Sequence, residues 1–114
     1  MSSTPLSESS VHLGLEQQLP VIDSSTTSRV LVNNDLLRVV QFTFDAGQQL
    51  TEHSSPRAVA CILNSGRMSF SIEGTEHQFG PGDVIYLAPD APHALVAETA
   101  CRLTLVMVDK DYHG

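Results

Sequence analysis

Between Arg67 and Glu73 the chain alternates without a break: Met68, Phe70 and Ile72 are apolar, while Arg67, Ser69, Ser71 and Glu73 are polar. Successive side chains of a strand point to opposite faces, so this stretch buries one face and wets the other, which a helix of 3.6-residue period cannot do. Its flanks close the alternatives further. Ser65-Gly66 turns the chain in, Glu73-Gly74 turns it back, and Thr75 to Phe79 returns to a second compact loop, Gly80-Pro81-Gly82-Asp83. A short alternating strand between tight turns must find partners on both sides, so the rest of the chain has to supply a sheet.

It does so on both flanks. Arg29 to Val32 is a short strand stopped by Asn33-Asn34-Asp35, where the asparagines suit the positive φ of a tight hairpin. Leu36 to Phe44 follows, with Val40, Phe42 and Phe44 on one face and Val39, Gln41 and Thr43 on the other. Leu50 to His53 leads into Arg57 to Leu63, with Pro56 interrupting the ladder between them. Val84 to Leu87, His93 to Ala97 and Arg102 to Val108 complete about eight or nine strands at the spacing of a sandwich or barrel. No 3.6-residue period is sustained anywhere. Val11 to Pro20, with Leu13, Leu15 and Leu19, has material for one turn of helix and is expected to lie against the outside of the barrel. The expected organisation is an N-terminal tail and arm over 1–27, a barrel over 28–108 and an exposed tail over 109–114.

At 114 residues there is one core and room for one site. Thirteen acidic against six basic residues give a net charge of −7, which opposes binding to a phosphate backbone and argues against a nucleic-acid partner. Apolar runs are strand-length, so no transmembrane helix is expected. The Ser/Thr-rich start, Met1 to Ser10, has neither the basic nor the apolar region of a secretory signal and is expected to be a disordered tail. Two cysteines, Cys61 and Cys101, lie in separate apolar strands without metal or redox spacing, as expected of buried thiols in a reducing cytoplasm.

The stretch from Gly47 through His53 to Gly66, and then Gly82, Pro89 and His93, resembles the two signature motifs of the cupin superfamily. The resemblance runs over about residues 28 to 108 and implies an all-β, antiparallel double-stranded β-helix, the jelly-roll cupin barrel, of the small stand-alone bacterial type. It also implies that His53 and His93 occupy ligand positions of a cupin metal site. Ser55 and Val59 stand where that motif carries its second histidine and its glutamate, and Ala97 stands where an asparagine often follows.

Two readings of the histidine pair remain open. Neutral imidazole suits a divalent transition metal such as Fe, Zn, Mn or Ni, and a metal could sit between the rings. Protein sites usually bring three or more ligands, and the third is hard to find: Ser55 is a weak neutral oxygen, Val59 cannot ligate, and Glu52 has the wrong parity. Cys61 shares the parity of His53, and a thiolate there would help. On the other reading the pair is the polar remnant of a lost metal site, bonded to Ser55, water or an organic ligand. An unsatisfied buried imidazole costs roughly 1–3 kcal/mol, so a cavity holding both should hold water or ligand as well.

Met68 and Tyr86 are further candidates for lining a small-molecule cavity, Tyr86 through its hydroxyl. Arg57 could take a carboxylate bidentately if its side chain entered the pocket; otherwise it is a solvated strand residue, and Arg102 is the weaker candidate of the two. His12, His77 and His113 read as solvated surface groups. No nucleophilic triad, GxSxG elbow or carboxylate pair is present, and Gly80 to Asp83 precedes a strand, so it is no phosphate cradle. Three functions follow: a binding or sensory barrel for a small polar molecule; a metal-dependent isomerase, lyase or dioxygenase acting on a small acid or sugar derivative; and a module acting through dimerisation alone. A homodimer is expected in any case, through the open edge of Arg29 to Val32 and the leucines of the arm.

Overall fold

Strands occupy most of the chain from Thr26 onward in a computed structural model that describes residues 5–111. A short helix, α1 (Leu15–Gln18), is followed by β1 (Thr26–Asn33), β2 (Leu37–Phe44), β3 (Gln49–His53), β4 (Ala58–Ser65), β5 (Met68–Ile72), β6 (Thr75–Phe79), β7 (Val84–Leu87), β8 (His93–Ala97) and β9 (Cys101–Val108). They form a five-stranded sheet of order β1-β2-β9-β4-β7 and a four-stranded sheet of order β3-β8-β5-β6. Every pairing is antiparallel. From β2 onward most connections carry the chain from one sheet to the other, and this winding makes the double-stranded β-helix. The inward side chains of both sheets form one core, with Phe44, Cys61, Leu63, Met68, Phe70 and Leu103 at its centre.

The alternating stretch becomes β5, with Met68 and Phe70 buried. Its entry turn depends on Gly66, at φ +89°, because a Cβ there would lie 2.2 Å from the Ala100 carbonyl oxygen and 2.7 Å from Cys101 Sγ. The Glu73-Gly74 turn has positive φ at both residues, as a two-residue hairpin with a right-handed twist requires.

Three expectations change. Asn33 and Asn34 keep negative φ; instead Asn34 Oδ1 accepts from the backbone N–H groups of Leu36 and Leu37, each at 2.9 Å, so the side chain shapes the turn. Strand β1 begins at Thr26, inside a Ser/Thr run without period, because the Thr27 and Thr43 hydroxyls hydrogen-bond across the β1–β2 ladder. Arg102, the weaker anion candidate, serves the fold instead. It is buried on the outer face of the five-stranded sheet, where Nη1 donates to Gln41 Oε1 at 2.9 Å and Nη2 to the Leu19 carbonyl at 2.8 Å, with longer contacts to the carbonyls of Leu15 and Glu16. One guanidinium thus satisfies the open end of α1, a helix too short to persist alone, and fixes the arm to its own barrel. Gln41 is buried by the same arrangement.

Candidate functional site

Pairing of β3 with β8 sets His53 directly opposite His93. Their ring centroids are 4.2 Å apart at an interplanar angle of 57°, and Phe70 stacks nearly parallel to His93 with centroids 6.0 Å apart. His93 is buried and His53 exposed, so the pair runs from the interior toward the mouth of the barrel.

The backbone fixes how each ring is used. His53 Nδ1 lies 2.8 Å from the Thr51 carbonyl oxygen, and His93 Nδ1 lies 3.0 Å from that of Ala91. A carbonyl only accepts, so in the neutral ring Nδ1 carries the proton and Nε2 presents a lone pair. Burial lowers the pKa of His93 below its ordinary value of 6.5; the Ala91 carbonyl opposes this and charge on His53 reinforces it. His93 is therefore neutral at pH 7. Two acceptor nitrogens side by side call for a donor or a cation between them.

They border a cavity of about 80 Å³. Its polar side chains are His53, Ser55 and His93; Phe42, Leu50, Val59, Leu95 and Leu105 are among its apolar walls. Ser55 is pinned at the mouth, its Oγ accepting from the Arg57 backbone N–H at 3.2 Å and its carbonyl from the Asp90 N–H at 2.7 Å. Sequence reasoning missed the wall from β9, although Leu103, Leu105 and Met107 alternate with Arg102, Thr104 and Val106 in the pattern that signals one inward face.

Two candidates fall elsewhere. Tyr86 is 65% exposed on the outer face, because Ile85 and Leu87 take the inward positions of β7. Met68 is fully buried but outside this cavity: β8 pairs His93 with Ile72, and Met68 lies four residues further along β5, opposite Ala97. Cys61 does line the cavity, where in the metal-free barrel burial pushes its thiol up to about 12, so it is a protonated wall. His12 and His77 are exposed, while His113 lies outside the described residues.

A metal ion would find two suitable nitrogens here and no third imidazole or carboxylate among the cavity-lining residues. Among the described residues no group of three His, Cys, Asp or Glu side chains could hold one, and β4 contributes Val59 and Cys61 to the cavity wall. The residues present do not make a closed metal site.

A barrel of this winding with a histidine pair at its mouth is a cupin. The cupin-domain family model matches residues 40–109, and the chain belongs to that family. Among solved structures it is similar to a conserved protein of unknown function from Streptococcus pyogenes, at 29% identity, a TM-score of 0.83 and 98% coverage of both chains. A cupin superfamily protein from Desulfitobacterium hafniense is similar at 15% identity and a TM-score of 0.79, over 89% of this chain and 93% of that one. The DMSP lyase DddQ from Ruegeria pomeroyi is similar at 18% identity and a TM-score of 0.69, over 78% of this chain and 49% of that one. The last two likenesses concern the fold alone. No curated protein matches the sequence. Among the described residues no helix is long and apolar enough to cross a membrane.

Proposed function

We propose that the barrel binds a small polar molecule, seating a hydrogen-bond-donating group between Nε2 of His53 and Nε2 of His93 and its apolar part against the cavity wall. One observation carries this reading: both rings spend their Nδ1 proton on a backbone carbonyl, leaving two acceptors at the edge of an otherwise apolar cavity. Neither Nε2 has a hydrogen-bond partner among the cavity-lining side chains, and acceptors left unmade there favour a ligand that supplies a donor. The size agrees. An apolar cavity of about 150 Å³ holds one benzene, so 80 Å³ admits a few heavy atoms, with the remainder at the mouth. Two buried unpaired thiols, Cys61 and Cys101, suit a reducing compartment, and we assign the protein to the cytoplasm.

The alternative, a metal-dependent enzyme, uses the same two lone pairs and needs its remaining ligands from substrate or water. Side-chain ¹⁵N NMR and metal analysis on untagged protein separate the readings. Binding predicts the Nδ1–H tautomer in both rings, sub-stoichiometric metal after dialysis, and Nε2 resonances that move on titration with 1,2-butanediol, a neutral donor probe. The movement should be lost in His93→Ala. A metal ion retained at one per chain, and released by His53→Ala, would replace this reading with the enzymatic one.

A further inference from the structure

No aspartate, glutamate, lysine or arginine lines the histidine cavity. Glu52 and Arg57, the charged residues next along the chain from His53 and Ser55, contribute no side chain to its wall; Arg57 gives Ser55 Oγ only its backbone N–H. A charged ligand buried there would lose its water without meeting a counter-charge, a cost that a neutral molecule escapes. The occupant that this wall favours is therefore neutral.

The three polar side chains of the wall ask for a particular pattern of donors and acceptors. Both rings commit Nδ1 to a backbone carbonyl and leave Nε2 as an acceptor. Ser55 Oγ accepts from the Arg57 N–H at 3.2 Å, and its own O–H has no acceptor among the described residues. The cavity thus offers two acceptors and, the weak Cys61 thiol aside, one donor. A lone hydroxyl has one proton and serves one ring; a 1,2-diol serves both but brings a second oxygen for which the wall has no donor. The NH2 of a primary carboxamide carries both protons on one nitrogen, with a carbonyl beside it. Two bonds of about 2.9 Å from such a planar nitrogen hold their acceptors about 5 Å apart. Rings whose centroids are 4.2 Å apart can offer that span.

We propose that the ligand is a small neutral primary carboxamide on a short alkyl chain: the NH2 shared between Nε2 of His53 and Nε2 of His93, the carbonyl on the Ser55 hydroxyl, the chain against Leu50, Val59 and Leu95. This rests on the binding reading above and narrows it to one functional group. A carboxylic acid or an amine of the same length is an ion at neutral pH and carries the desolvation cost. A secondary amide keeps the carbonyl but has only one proton for two rings, and the acceptor left unmade costs more than an average bond contributes.

Titrating ¹⁵N-labelled full-length protein with butanamide and, separately, with its isomer N-methylpropanamide tests it, following the imidazole Nε2 resonances. The isomers have the same atoms but two and one N–H groups. Butanamide should bind about tenfold tighter than its isomer, and tighter than 1,2-butanediol or butylammonium. His53→Ala, at an exposed position, leaves one acceptor and should bring the isomers within about twofold of each other. Ser55→Ala removes the donor to the carbonyl and should weaken both amides alike, by about fivefold. The isomers compared on the wild-type protein carry the test if a variant does not fold. Equal affinity of the isomers, tighter binding of the diol or the ammonium ion, an isomer ratio kept in His53→Ala, or butanamide binding unchanged in Ser55→Ala overturns the carboxamide and leaves the histidine pocket standing for another donor. If no probe moves the histidine resonances, both proposals fall.

Discussion

His93 joins the interior of the barrel to its mouth, and its surroundings make stability depend on pH. Its folded-state pKa lies below 6.5, so on acidification the unfolded chain takes up this proton before the folded one does. Stability from this residue is intact above about 6.5 and is lost as the pH falls from there through the lower folded value. Urea unfolding between pH 7.5 and 5 should show this decline, and His93→Gln should flatten it; equal slopes would place the proton uptake elsewhere. That His53 and His93 meet was expected from the resemblance to the cupin motifs, and the β3–β8 register brings them opposite each other. Tyr86 was misplaced because a four-residue apolar run, Val84–Leu87, has no internal alternation to say which parity faces in. Arg57, a candidate carboxylate partner by sequence, is half-buried with guanidinium Nη1 enclosed and does not line the cavity, which no parity rule foretells, since enclosure is a property of three-dimensional packing.

Strands were easier to read than their environment. β6, β7 and β8 run where turn residues and apolar content place them, and β5 differs by one residue at each end, because Gly, Pro and Asn punctuate the chain so densely. Burial of the outer face of β2 was not readable: Gln41 and Thr43 are polar, yet 6% and 0% exposed. What covers that face is partly the arm, and what holds the arm is Arg102. Arg102→Gln should therefore free α1 while leaving the barrel folded. Amide exchange in residues 14–20 should accelerate to that of an unstructured chain, and the barrel should lose about 1.5–3 kcal/mol, the range for a hydrogen bond involving a charged group. An arm that stays protected in this variant would mean that Leu15 and Leu19 hold it by packing.

At the scale of the molecule, we expect two copies to associate. Leu15 and Leu19 are half-buried against the barrel of their own chain, but Val11 and Leu13 remain 77% and 76% exposed, and Leu6 and Ile22 add to the same arm. Among the described residues, the outer edge of β1 has no partner strand. Sedimentation equilibrium should give twice the chain mass at micromolar concentration, and deletion of residues 1–20 should shift the protein to monomer; a single species at chain mass refutes the dimer. The order of the five-stranded sheet reaches further than assembly. The last described strand in chain order, β9, lies in its middle, with β2 on one side and β4 on the other. Until β9 has been made, β2 and β4 each keep one edge open, because β1 and β7 pair only with their other sides. At ribosomal rates of about 5–20 residues per second, a nascent chain keeps β2 unpaired on that side for several seconds. Closure of the five-stranded sheet therefore waits for β9, and the interval of greatest exposure to aggregation and to chaperones is set by where one strand sits in the order of the sheet.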